Sequence, residues 1–293
     1  MTAAPLHLAG ERLLLDPAGV LLWPEAGLLA VADLHLEKGT AAAARGQLVP
    51  PWDTRLTLDR LAGLLHRWRP RVVVALGDSF HDRHGAARLL PGDAARLRAL
   101  AGQTRWIWVL GNHDPAPPEA LPGEAAEAWT HGPLTFRHQA RPGATGEVSG
   151  HFHPKAAVPT RAGPVTRPCF VADTRRVLLP AFGAYTGGLD VAHPAVAGLF
   201  PRGGRVFLLG KDRLFSFALA QVRGTALAGG AGAHRPPAPG STRGKHEQAS
   251  AEATAAASAS VGTTAAAQGS GRRQSTTTAS GFPGSSVRLT KPV

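Results

Sequence analysis

The sequence has a single cysteine, Cys169, in 293 residues. One thiol makes no internal disulfide and no cysteine-based zinc site, so a disulfide scaffold and a zinc finger are both excluded. Long hydrophobic runs are missing too: none approaches the ~18 apolar residues needed to span a bilayer. The first residues, Met1 to Glu11, show no basic stretch followed by an apolar one, so no secretory signal is expected. The expectation is a soluble, cytoplasmic protein with no membrane partner. Lysine is also scarce. Lys and Arg number 32 against 20 Asp and Glu, a formal net charge of +12, and only five of the 32 are lysines.

The composition changes near Arg223. Residues 224–293 are dominated by Ala, Gly, Ser, Thr and Pro, and Leu227, Val261, Phe282, Val287, Leu289 and Val293 are their only large apolar residues. So little burial cannot offset the entropy of ordering a segment of this length, and 224–293 reads as a disordered basic tail. Residues 1–223, the expected folded domain, keep a net charge of +7. That excess fits a polyanionic partner such as DNA; a GC-rich genome favouring Arg, Ala, Gly and Pro codons produces the same composition.

Within 1–223, short apolar runs at Arg12–Leu15, Val20–Trp23 and Gly27–Ala32 are separated by turn signals and read as strands. Leu58, Leu61, Leu65 and Trp68 recur at helical steps, which predicts a helix over Asp53–Trp68 with Asp53 as N-cap and Pro70 closing it. Val72–Leu76 is a buried strand, Asp93–Leu100 a second helix, and Trp106–Leu110 another strand. After Pro133 the pattern turns to strands: Leu134–Arg137, Glu147–Ser149, Phe170–Ala172, Arg176–Leu179, Arg205–Leu209 and Leu214–Phe217. The expected fold is α/β, two sheets face to face flanked by helices.

Four strand ends run into polar clusters: Asp33-Leu34-His35, Gly77-Asp78-Ser79-Phe80-His81-Asp82, Gly111-Asn112-His113-Asp114 and Gly150-His151-Phe152-His153. Ligands of open sheets gather at the carboxyl ends of strands. Alternate residues of an extended chain face one side, which would aim Asp33 with His35, and His151 with His153, at one site. An Asp, Asn and His donor set suits Mn, Fe or Zn rather than calcium or a thiophilic metal. The ligands suffice for two ions, with Asp78 able to bridge them.

In order and spacing these clusters resemble the calcineurin-like metallophosphoesterase superfamily, whose pattern is D-x-H, GD, GNH[DE], a lone His, then GHxH. The resemblance implies two divalent ions, Mn²⁺ first, with Fe or Zn also compatible. The first would take Asp33, His35, Asp78 and His153. The second would take Asp78, Asn112, His151 and the lone His, for which His138, after the strand Leu134–Arg137, is preferred to His131. It also implies a phosphoester hydrolase with a metal-bridging hydroxide as nucleophile and with His113 facing the substrate phosphate.

Many members carry Asp three residues after the bridging Asp. Here that position is His81, with Asp82 one step later, so either His81 touches the substrate side or Asp82 reaches His113. Arg45 and Arg83, on loops after the metal clusters, are candidate phosphate contacts. Asp114 is expected to orient a ligand histidine, and Glu37 and Lys38 to lie in a solvated loop. Trp52 reads as a hydrophobic staple before its helix, or as a stacking residue.

The stretches Asp33–Gly39, Phe80–Asp82 and Pro180–Gly188 look more narrowly like the PdeM group, the ligase-associated DNA damage response phosphoesterases. That resemblance implies an endonuclease working beside a DNA ligase and a helicase. Two other readings stay open: a phosphodiesterase or phosphatase for small nucleotides or cyclic diesters, and a non-catalytic nucleic-acid-binding protein.

Overall fold

The structure, a computed structural model, describes residues 2–116 and 121–222. The tail expected at 224–293 lies outside the described residues. Among the described residues no helix is long and apolar enough to cross a membrane.

The first sheet follows chain order: β1 (Ala4–Leu8), β2 (Glu11–Leu15), β3 (Leu21–Trp23), β4 (Leu28–Val31), β5 (Val72–Leu76), β6 (Arg105–Val109) and β7 (Glu124–Ala126). Its first four strands are an antiparallel meander, and β4 to β7 run parallel. Helices α1 (Lys38–Ala43) and α2 (Asp53–Trp68) connect β4 to β5, and α3 (Gly85–Arg88) and α4 (Pro91–Gly102) connect β5 to β6. The second sheet comprises β8 (Ala128–His131), β9 (Leu134–Arg137), β10 (Glu147–Ser149), β12 (Gly163–Ala172), β13 (Arg176–Leu178), β14 (Arg205–Leu209) and β15 (Leu214–Ala218). Its order is β15-β14-β12-β13-β10-β9-β8, and β11 (Lys155–Thr160) pairs with β12 off that path. A short α5 spans Pro194–Ala197.

Period-two alternation explains why the central runs are apolar throughout. Leu28, Ala30, Val74, Leu76, Ile107 and Val109 point toward the second sheet, where Phe136, Val148, Phe170 and Val177 meet them. Their alternates Leu29, Val31, Val73, Ala75, Trp106 and Trp108 pack under Leu58, Leu61 and Leu65 of α2 and Leu97 of α4. Strands buried on both faces carry no polar side, which gives continuous Val and Leu runs.

The expected two-sheet architecture is therefore the observed one, with some strands unforeseen. β7 and β8 are largely exposed, so they lack the apolar signal that marks a buried strand. Asp53 is not the N-cap of α2. Trp52 takes that position, half exposed at 56%, and the Asp53 carboxylate accepts the Lys38 backbone N–H at 2.7 Å instead.

Candidate metal centre

Parallel pairing puts the polar strand ends at one edge. In the first sheet Val31 pairs with Ala75 and Leu76 with Val109, so Asp33, Asp78 and Asn112 leave the sheet together. In the second, Phe136 pairs with Val148 in a parallel ladder, and Gly150 N–H donates to the His138 carbonyl at 2.9 Å. The two edges are stitched to each other: the His151 N–H donates to Asp33 Oδ2 at 2.9 Å, and His138 Nδ1 donates to the Leu76 carbonyl at 3.0 Å.

The extended-chain explanation for the paired ligands is corrected here. β4 ends at Val31, and Asp33, His35, Asp78, His151 and His153 all have positive φ, between 42° and 74°. Left-handed residues, not strand alternation, aim these side chains inward. Such conformations are unfavourable for residues with a Cβ and persist where the surroundings impose them, typically at functional sites. Close approach adds its own demand: a Cβ on Gly150 would sit 2.5 Å from Asp33 Oδ2, and one on Gly111 would collide with Asp78.

Three groups of convergent donors result among the described residues. Asp33, His35 and His153 form the first, Asp78, His138 and His151 the second, and His81 and His113 share His35 in a third, all-histidine group. In the first, His35 Nε2 lies 3.2 Å from His153 Nε2, and His153 Nε2 lies 3.5 Å from Asp33 Oδ1. In the second, His138 Nε2 is 2.8 Å from Asn112 Oδ1, 3.0 Å from His151 Nδ1 and 3.3 Å from Asp78 Oδ2. The same Asp78 oxygen lies 3.9 Å from His35 Nε2, so it stands between the groups.

This donor set fits divalent cations. The proton of a neutral His138 is on Nδ1, held by the Leu76 carbonyl. Its Nε2 lone pair then meets an amide oxygen, an imidazole nitrogen and a carboxylate oxygen, and a cation satisfies all four at once. The pull of the carboxylates on positive charge points the same way, since it also favours a proton at this position. Burial lowers the His138 pKa, but hydrogen bonding to Asp78 and the charges of Asp33 and Asp78 raise it to about 9. Burial pushes the Asp78 carboxyl up, yet the hydrogen bond and charge of His138 hold it well below the usual range. His35 is lowered to about 3 by burial and by His153, which keeps its imidazole neutral and able to ligate.

Around the donors, His113 Nδ1 donates to the His81 carbonyl at 2.7 Å, and its backbone N–H donates to Asp78 Oδ1 at 2.9 Å. That leaves His113 Nε2 3.9 Å from Asp78 Oδ2. The His81 ring stacks beside His113, centroids 5.6 Å apart, and its Nδ1 is 3.4 Å from His35 Nδ1. Burial, then the Lys38 charge, lowers the His81 pKa to about 4.

Several expected placements are corrected. Asp82 does not reach His113: it binds Arg88 Nη2 at 2.9 Å and the His84 N–H at 2.9 Å, and the His81 carbonyl holds His113 instead. Asp114 orients no histidine; its Oδ2 accepts the N–H groups of Ser79 and Phe80 at 2.7 and 3.1 Å, shaping the loop after Asp78. Glu37 is not solvated. It is 3% exposed, and its carboxylate accepts the hydroxyls of Thr40 and Thr54 at 2.7 and 2.8 Å. Lys38 opens α1. Arg45 is exposed but near enough for its charge to act on His81. Arg83 is exposed and makes no hydrogen bond or ion pair among the described residues. His131 lies elsewhere, stacked on Trp129.

The residues missed from sequence are those that hold loops. The Phe182 and Gly183 N–H groups bond to the carbonyls of Ala32 and Asp33 at 2.9 and 3.0 Å, and Arg60 Nη1 donates to the Phe182 carbonyl at 2.8 Å. The resemblance singles out Pro180–Gly188 as a stretch, but nothing in it, beyond its glycines, signals these backbone contacts.

Residues 27–156 match the family model described as calcineurin-like phosphoesterase. Among solved structures, the nuclease MPE of Pseudomonas putida is 29% identical, over 74% of this chain and 100% of that chain, with a TM-score of 0.58. The phosphoesterase YfcE from E. coli is 14% identical, over 66% of this chain and 98% of that chain, with a TM-score of 0.34. No curated protein matches in a sequence comparison. The Asp and His groups at the shared sheet edge lie within the residues that match the calcineurin-like phosphoesterase model, and with the likeness to the nuclease they support a metal-dependent phosphoesterase.

Proposed function

We propose that the protein is a two-metal phosphodiesterase that cleaves DNA, of the PdeM group of ligase-associated DNA damage response phosphoesterases. The observation that carries the two-metal reading is the position of Asp78 Oδ2, shared between His35 on one side and His138 on the other. The first ion would be held by Asp33, His35, Asp78 and His153, the second by Asp78, Asn112, His138 and His151. The Asp, Asn and His donor set is compatible with Mn²⁺, Fe or Zn, and Mn²⁺ is the first candidate. Bound there, the cations supply Lewis-acid polarisation of phosphoryl oxygens and an activated water.

The chain's own groups do the rest. His113 is anchored through Nδ1 and presents Nε2 to the donor cluster. Protonated at Nε2, it donates to a phosphoryl oxygen, or gives that proton to the leaving oxygen. His81 buttresses His113 by stacking and by its carbonyl. The likeness to a nuclease and the basic charge of residues 1–223 support DNA as substrate. A cytoplasmic repair enzyme beside a DNA ligase and a helicase follows from the group assignment.

The test is hydrolysis of end-labelled single- and double-stranded DNA and of bis-p-nitrophenyl phosphate with Mn²⁺, for wild type and His113→Ala. Cleavage of both substrate kinds by wild type alone supports the reading. Cleavage of the small diester alone redirects it to nucleotide or cyclic diester substrates.

A further inference from the structure

Three residues outside the first donor group sit on segments that flank it in sequence or by backbone contact. Lys38 follows His35 by three residues and Lys155 follows His153 by two. Tyr185 belongs to the loop whose Phe182 and Gly183 N–H groups bond to the carbonyls of Ala32 and Asp33. The start of α2 gathers two of the three. Asp53 Oδ2 accepts the Lys38 N–H at 2.7 Å, and Thr57 Oγ accepts the Ala184 N–H at 3.1 Å. Asp53 and Thr57 are one turn apart on a single helix face, about 6 Å along the axis. The Lys38 and Tyr185 segments therefore emerge side by side. Lys155 joins them: its Nζ donates to the Thr186 carbonyl at 3.4 Å.

Structural contacts account for little of Lys38 and Tyr185. The Lys38 ammonium is half-buried and makes no hydrogen bond or close ion pair among the described residues. Burial lowers its pKa, the Asp53 carboxylate raises it and the Lys155 charge lowers it again, so the two ammonium groups repel each other with Asp53 as a partial counter-charge, and a bound anion would relieve that repulsion. Tyr185 is the chain's single tyrosine. It is 43% exposed, in a left-handed conformation with φ of 61°, in a loop with glycine at 183, 187 and 188. An exposed aromatic side chain on a left-handed backbone is a cost to the fold unless the ring meets a ligand.

We propose that Lys38, Lys155 and Tyr185 form a nucleotide-binding rim, in which the Tyr185 ring stacks on a base beside the scissile phosphodiester and the two ammonium groups hold flanking phosphates. This rests on the phosphodiesterase reading and adds which residues, outside the donor groups, hold the polynucleotide chain. Aromatic faces accept any base and ammonium groups follow the backbone, so the rim binds without sequence preference and with strong salt dependence. A small diester reaches the donor groups but not the rim.

The experiment uses the full-length, Mn²⁺-loaded protein and compares kcat/KM on a DNA strand with kcat/KM on bis-p-nitrophenyl phosphate, across a salt series. Tyr185→Ala lowers the strand-to-diester ratio about tenfold or more, through KM, and Tyr185→Phe restores it. Lys38→Gln flattens the logarithmic salt dependence on the strand by about 0.7 to 0.9. Tyr185→Gly loses the same ratio while melting no lower than wild type, because glycine relieves the left-handed strain. A purely structural Tyr185 would change both substrates together. Equal changes on both substrates, or an unaltered salt slope, overturn the rim and leave the phosphodiesterase reading standing. Wild type that cuts the diester but not the strand also overturns the rim. Wild type that cuts neither overturns the underlying reading and the rim with it.

Discussion

His113 Nδ1 donates to the main-chain carbonyl of His81 at 2.7 Å, an anchoring that Asp82, one residue on, does not supply. A carbonyl accepts but never takes up a proton, so it fixes the tautomer: the second proton of His113, when present, is on Nε2, toward the donor cluster. Asp82 is occupied by Arg88 and the turn at His84.

His113→Ala is therefore expected to abolish turnover on both DNA and bis-p-nitrophenyl phosphate, by about 10²-fold or more. Metal content should be nearly unchanged, because His113 supplies no ligand atom to either proposed ion. Steady-state kinetics paired with metal analysis checks this; a variant with full rate removes His113 from the mechanism.

The position of Asp78 between the groups separates one-site from two-site variants. Asp78→Asn is expected to lose or bind poorly both ions, whereas His138→Ala should lose one. Metal analysis after desalting reads the stoichiometry directly. Equal loss in the two variants would argue against a shared carboxylate.

Asp114 lends itself to a pH test in metal-free protein. Burial raises its pKa from 3.8 to about 7. The folded state thus keeps a proton that the unfolded chain releases, and the stabilisation is complete below 3.8 and lost as pH rises through about 7. Relative to Asp114→Asn, wild type should lose up to a few kcal/mol across that window. Urea denaturation at a series of pH values measures it, and a constant difference would contradict the assignment.

Glu147 is fully buried, with Arg137 Nε 3.0 Å away and Arg176 Nη1 at 3.4 Å. Removing the carboxylate in Glu147→Ala leaves two guanidinium groups uncompensated at the start of β10. The expected cost is about 3–5 kcal/mol, read by denaturant unfolding; a loss within about 0.5 kcal/mol, the usual surface range, would show that water or the 141–144 carbonyls suffice.

Truncation after Arg223 is expected to leave the melting temperature within a few degrees of wild type, since residues 224–293 contain so few large apolar side chains. A drop of about 10 °C would show that the segment docks on the domain.

Much of this molecule was legible in the residue pattern. The runs Val72–Leu76 and Arg105–Val109 could be read as buried strands because burial on both faces removes every polar residue. Helix α2 could be read from leucine spacing and Pro70, with its cap one residue earlier than expected, at Trp52. The clusters at 33, 78, 112 and 151 stood out because polar residues directly after such strands have few other uses. Each of these signals is local, written within a few neighbouring residues. What only the tertiary structure decided was how separate segments meet. Left-handed backbone at Asp33, His35, His151 and His153 aims the ligands, and it is imposed by contacts with chain more than a hundred residues away, such as the His151 N–H on Asp33. The His81 carbonyl replaces Asp82, Asp114 holds main-chain N–H groups, and Glu37 is buried under Thr54, because a backbone group carries no residue letter and a side chain's partner is settled by packing. The sequence by itself determined the chemistry gathered at the sheet edge; the fold decided which atom faces which, since that depends on distances no linear pattern contains.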